Sequence, residues 1–110
     1  RIIDALPDNF NKNDIIKTLD AFAASYDPTD DQNVWFGKIK DIASSLGYAA
    51  DMKEYKQTPE KFAGSVADIS SFIRVAVTGR LNSPDLYTVM NILGKDCVIR
   101  RINEFKETIA

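Results

Sequence analysis

The 110 residues contain no histidine and one cysteine, Cys97. Those absences remove zinc sites of the Cys/His type, histidine general bases, Ser-His-Asp and Cys-His triads, and any disulfide within the chain. Long apolar runs are missing too. Stretches such as Ala21 to Ala24 and Val75 to Val77 fall far short of the roughly 20 residues a membrane-spanning helix needs, so no membrane partner is expected. Neither sign of charge dominates: 14 Lys+Arg against 16 Asp+Glu leave a net charge of −2, so the chain is neither a polycation nor an acidic tail. What is present, 45% hydrophobic and 27% charged residues, is ordinary globular composition, and the length suits a single domain over residues 1–110. The opening Arg1-Ile2-Ile3-Asp4 has no initiator Met and no charged-then-apolar secretory pattern. With a lone thiol, that predicts a reducing, cytoplasmic compartment and a chain that is a piece of a longer protein.

Hydrophobic spacing follows the helical period almost throughout, with little strict alternation. Asn13 is expected to cap a helix carrying Ile15, Leu19, Phe22 and Tyr26, which Tyr26-Asp27-Pro28 closes. A second helix should start near Asp31 or Asn33, carry Trp35, Ile39, Ile42 and Leu46, and end at Gly47. Residues 48–64 read as a connection with at most a short helix. Ser65 and Asp68 form a capping-box-like start for a helix with Ile69, Phe72, Ile73, Ala76 and Val77 on its apolar face and Gly79 at its end. Ser83 then reads as an N-cap with Pro84 at the first helical position, ahead of Leu86, Val89, Met90 and Leu93. Asp96 is expected to cap a last helix bearing Val98, Ile102, Phe105 and Ile109. The predicted fold is all-α, a compact cage of four to five short helices.

Charge is unevenly distributed along this frame. Residues 1–55 hold 6 basic and 10 acidic side chains (net −4), and residues 56–110 hold 8 and 6 (net +2). Between residues 74 and 101, Arg74, Arg80, Lys95, Arg100 and Arg101 are opposed only by Asp85 and Asp96. A polyanion that binds this chain should therefore bind the second half. Patterning of this size also occurs on ordinary solvated helical faces.

The run from Phe72 to Tyr87, FIRVAVTGRLNSPDLY, followed by VMNILGKD from Val89 to Asp96 and by Arg100-Arg101, narrows the reading. It resembles the C-terminal anticodon-binding region of bacterial-type glutamyl-tRNA synthetases, class I aminoacyl-tRNA synthetases whose pattern there is L-R-x-A-x-T-G-R-x-x-[ST]-P-x-L-[FY]-x-x-x-x-x-L-G. The likeness is continuous over about residues 66–102; the Trp35-to-Gly47 segment also resembles the family, and residues 1–30 do so only loosely. Departures are small: Ser83 stands for the commoner Thr and Ile73 for Leu. Asp85 adds a negative charge at a helix start, which favours base-edge over phosphate contact there. The resemblance implies anticodon recognition with tRNA(Glu) as partner, tRNA(Gln) as a further substrate of some members, and no DNA. It also implies ATP with magnesium for the parent ligase. No cofactor is expected within this fragment, since neither a HIGH-type motif nor a Lys-x-Ser-Lys-type loop occurs in it.

By that resemblance Arg74 is the anticodon-reading arginine, and a planar guanidinium suits stacking on a base and donating to its edge. The plainer alternative is a structural arginine paired across the cage. Ser83, Pro84 and Leu86 occupy the family's anticodon-contact positions, yet cap, first-turn proline and first core residue explain them equally well. Arg80 and Arg101 are candidate phosphate contacts; Arg100 and Arg101 point about 100° apart on a helix, so at most one shares a partner with Arg80. Against this stands a solvated face with pairing such as Arg101 to Glu104. Trp35 lies on an apolar stripe and is expected in the core, Tyr55 is the one aromatic left open, and Asp27, Asp30 and Asp31 read as turn and cap residues. Cys97 reads as a small semi-buried residue. The competing function is a helical protein–protein interaction domain.

Overall fold

The computed structural model describes residues 12–79 and 85–109. Its element order is α1 (Lys12–Ser25), α2 (Gln32–Ser45), α3 (Met52–Gln57), a one-turn 3-10 helix (Pro59–Lys61), α4 (Val66–Thr78), α5 (Leu86–Leu93) and α6 (Lys95–Ile109). No strand occurs among the described residues; the single β-bridge joins Ala49 to Ser65. Among the described residues, the connection between α2 and α4 holds the short helix allowed for it, α3, 6 residues long, beside the five expected helices.

The centre of the cage is α4, which packs against α1, α2 and α6. Seven of its 13 residues are buried, Val66, Ile69, Phe72, Ile73, Val75, Ala76 and Val77, a set spread over more than one face. A helix apolar on several sides is stable only when surrounded, and here its neighbours supply Leu19, Phe22, Ile39, Val98 and Ile102. Both of its ends are fixed by local chemistry. The Ser65 N–H donates to Asp68 Oδ2 at 2.8 Å, and Gly79 closes the C-terminus at φ 79°, a left-handed conformation that favours glycine.

Three of the expected helix starts move. Lys12 is already helical, so Asn13 lies inside α1 rather than capping it. At α5 the cap is Asp85, not Ser83: its carboxylate accepts from the Thr88 N–H at 3.2 Å and the Thr88 hydroxyl at 2.9 Å, a two-point hold a serine hydroxyl does not match. The helix therefore begins at Leu86, after Pro84, and Ser83 and Pro84 lie outside the described residues. At α6 the Val98 N–H donates to Gly94 O at 3.1 Å, which puts Gly94 at the cap and Asp96 in the first turn, where its charge still complements the helix dipole. The α2 start matches expectation, with Asp31 accepting from the Val34 N–H at 2.9 Å.

The connection is pinned at its base. Ala49 N–H donates to Gly64 O at 3.0 Å and Val66 N–H to Ala49 O at 2.7 Å, closing residues 49–66 into a loop whose ends meet. Tyr48 seals that junction from inside, 2% exposed, with its hydroxyl donating to Asp14 Oδ2 at 3.0 Å. Burial and the Asp14 carboxylate together push the Tyr48 phenol well above its ordinary range, so it stays neutral.

Candidate nucleic-acid interface

Arg74 follows Ile73 and precedes Val75, both fully buried, and the helical turn of about 100° per residue is what carries it off the core face. It lines a cleft of about 350 Å³ between three elements: Gln32, Asn33, Trp35 and Phe36 from the start of α2, Ser70 one turn before Arg74 on α4, and Asp85 and Leu86 from the start of α5. Residues distant in sequence thus line one cleft with Arg74.

The walls are tied to each other. Tyr87 O–H donates to Asp30 O at 2.6 Å, and Lys38 Nζ pairs with Asp30 Oδ2 and donates to Ser25 O at 2.7 Å. Gln32 Nε2 reaches Asp85 Oδ1 at 3.5 Å, the outer limit of a hydrogen bond. Trp35 meets Tyr87 edge-on with ring centroids 5.4 Å apart. Beside this cluster Asp27 accepts from the Thr29 N–H and hydroxyl, which holds its carboxyl below the usual range, while burial raises the Tyr26 phenol. Asp27 and Asp31 are therefore turn and cap residues as expected, and Asp30 is an ion-pair partner besides.

The candidate residues do not form one surface. Arg74 and Leu86 share the cleft, but Leu86 is 2% exposed, so it is a core residue rather than a partly exposed platform for a base. Arg101 belongs elsewhere, beside a depression of about 250 Å³ between the end of α4 and α6, where its Nη1 donates to Val77 O at 2.8 Å. Glu104 pairs with Arg100 at 3.6 Å rather than with Arg101, and both partners are 67% exposed, so that bridge contributes little. Arg80, Ser83 and Pro84 lie outside the described residues. Trp35 is a core residue, as its stripe predicts, and Tyr55 packs against Phe62 with centroids 6.4 Å apart. Gln32, Asn33 and Ser70 were invisible as site residues; polar side chains at helix surfaces carry no signal until the neighbouring helix is known.

Chemically the cleft combines a cationic planar donor with amide, hydroxyl and carboxylate groups over an aromatic and aliphatic lining. That mixture suits a flat, hydrogen-bonding ligand better than a bare anion, which Asp85 would repel. Among the described residues no cluster of His, Cys, Asp and Glu could hold a metal ion, and no helix is long and apolar enough to cross a membrane.

The family model described as "Anticodon binding domain" matches residues 49–106. A glutamate–tRNA ligase of Acetivibrio thermocellus is 46% identical over 101 residues, 92% of this chain. Those of Sorangium cellulosum and Clostridium perfringens are 44% and 38% identical over 94% and 91% of it. In each case the chain spans about 18% of the relative's length. No solved structure matches it. The chain belongs to the anticodon binding domain family.

Proposed function

We propose that this chain is the anticodon-recognition domain of a glutamate–tRNA ligase, an enzyme that attaches glutamate to tRNA(Glu) using ATP, and that it acts in the cytoplasm. Arg74 reads a base extruded into the cleft between α2, α4 and α5. Arg80 and Arg101 hold phosphates, and Ser83 and Pro84 position the RNA beside Arg74, with Leu86 anchoring that segment in the core. ATP and magnesium belong to the rest of the ligase, and no residue of this chain is assigned to them. By the family resemblance, the choice between tRNA(Glu) and tRNA(Gln) rests partly on a neighbouring helical subdomain of the ligase and not on this chain alone.

The observation that carries this reading is the placement of Arg74, a half-buried guanidinium in a cleft whose other walls are amide, hydroxyl, carboxylate, aromatic and aliphatic groups. A guanidinium there offers two parallel donors to a base edge. The protein-docking alternative finds less support, since the large exposed apolar residues, Val34, Met52 and Ile92, fall one each on α2, α3 and α5.

The test is titration of the 110-residue chain with the anticodon stem-loop of tRNA(Glu) and with loops of altered anticodon. Binding should be weak, fall steeply with added salt, and depend on the anticodon. Arg74→Ala should lose on the order of 1–3 kcal/mol and flatten anticodon preference, and Arg74→Lys should behave nearly as badly because it keeps the charge without the fork. A folded Arg74→Ala chain that still prefers the cognate anticodon refutes the assignment.

A further inference from the structure

We infer that Gln32 and Asn33, at the start of α2, are a second set of specificity-determining residues in the Arg74 cleft, reading the edge of the base held there. This rests on the anticodon-recognition reading but extends it to a helix outside residues 49–106, where the family model matches.

The argument begins with placement. The Asp31 cap fixes the first turn of α2 and so fixes Gln32 and Asn33, both exposed, on the wall of the cleft. The Tyr87-to-Asp30 hydrogen bond ties the chain just before that turn to α5. A carboxylate only accepts, so Gln32 must present its NH₂ group to Asp85. At 3.5 Å that contact is a weak tether, and the amide's carbonyl and second N–H have no partner among the described residues. Asn33 brings another uncommitted amide. One acceptor beside one donor in a plane is the pattern that matches a base edge, whereas arginine offers donors only. Gln32 and Asn33 thus discriminate among edges that Arg74 alone cannot tell apart.

Trp35 lines the same cleft while 6% exposed, so its ring is part of the cleft's floor beneath the wall of Gln32 and Asn33 and senses what enters it.

Trp35 is the chain's one tryptophan, so its emission reports on the cleft. Stem-loops of tRNA(Glu), cognate and with single substitutions at each anticodon position, are titrated into wild type, Gln32→Ala and Asn33→Ala, following both affinity and Trp35 fluorescence. Alanine suits a first helical turn and both sites are exposed, so the variants should melt with the wild type. The wild type should discriminate at every position it contacts and change its emission on binding. At least one variant should lose on the order of tenfold in discrimination at a single anticodon position, with an unchanged salt slope. If the wild type discriminates and both variants keep its full preference, this inference fails and the Arg74 reading survives. Binding that leaves Trp35 emission unchanged, or variants that weaken all loops equally, also overturns it. A wild type with no anticodon preference refutes the parent reading and this one with it.

Discussion

Replacing Arg101 by alanine should destabilise the domain before it does anything to RNA. Val77 O lies in the last turn of α4, two residues before Gly79, where carbonyls lack helical N–H partners. Arg101 Nη1 supplies the missing donor from α6 at 2.8 Å and sets a positive charge against the negative end of the α4 dipole. A hydrogen bond from a charged donor is worth about 1.5–3 kcal/mol and the dipole term about 0.3–1. Partial exposure of Arg101 reduces both, and alanine's slightly better helix propensity offsets a few tenths, which leaves a loss of about 2 kcal/mol. For a domain of this size that is a fall in Tm of roughly 8 °C, read by far-ultraviolet circular dichroism. The guanidinium has four further N–H donors, and if one holds a phosphate, stem-loop titrations well below Tm should show all anticodon variants weakened alike and the salt slope reduced by about 1. Arg101→Lys separates the roles, because it keeps a charge for the phosphate but loses the fork that reaches Val77. An Arg101→Ala chain melting within about 2 °C of wild type would refute the capping role, and an unchanged salt slope would remove Arg101 from the RNA-binding set.

Leu86→Ala should cost about 2–4 kcal/mol in urea unfolding, because the side chain is 2% exposed; a cost under about 1 would mean that Leu86 faces solvent or ligand instead of core. Gly64→Ala introduces a Cβ 2.5 Å from Asp68 Oδ2 and 2.8 Å from Tyr48 Cε2, breaking into the α4 cap and the Tyr48 ring together. A loss of about 1–3 kcal/mol is expected, and a neutral result would show that the 49–66 loop base is looser than described. Tyr48→Phe removes the hydroxyl donated to Asp14 and should cost about 1 kcal/mol. The Tyr48 phenol is raised in the folded state, so its contribution is fully present below the ordinary value of 10.0 and is lost as pH climbs above it. Wild-type stability should accordingly fall more steeply with pH in that alkaline range than the Tyr48→Phe stability does, and parallel curves would contradict the assignment.

Much of the fold is legible because helical period and caps are local signals. The stripes from Ile15 to Tyr26 and from Val98 to Ile109 are buried as spaced, and the Ser65/Asp68 start and Gly79 stop of α4 stand where the sequence puts them. Errors arise where two residues compete for one local role. Ser83 and Asp85 both suit an N-cap, and the carboxylate prevails because Thr88 offers it two donors. Asp96 loses to Gly94, whose carbonyl already accepts the first helical bond. Tyr48 gave no signal, since its partner Asp14 lies 34 residues away and neither belongs to a periodic stripe of the other.

The site follows a different rule from the fold. Motif resemblance groups Arg74, Leu86 and Arg101 as candidates because all three lie in one continuous stretch. Three-dimensional packing splits that grouping: α4 presents Arg74 toward α2 and α5, while Val77 near its end meets α6 and draws Arg101 to the other depression. Conversely, the Trp35 and Ile39 stripe of α2 predicts which residues enter the core, and a stripe says nothing about what the first turn beside it faces. Only the α2–α5 contact, made through Tyr87 on Asp30 and Gln32 on Asp85, turns two ordinary polar residues into walls of a cleft. A cleft of this kind depends on the register between helices, and register is a property of tertiary packing that no single helical period contains.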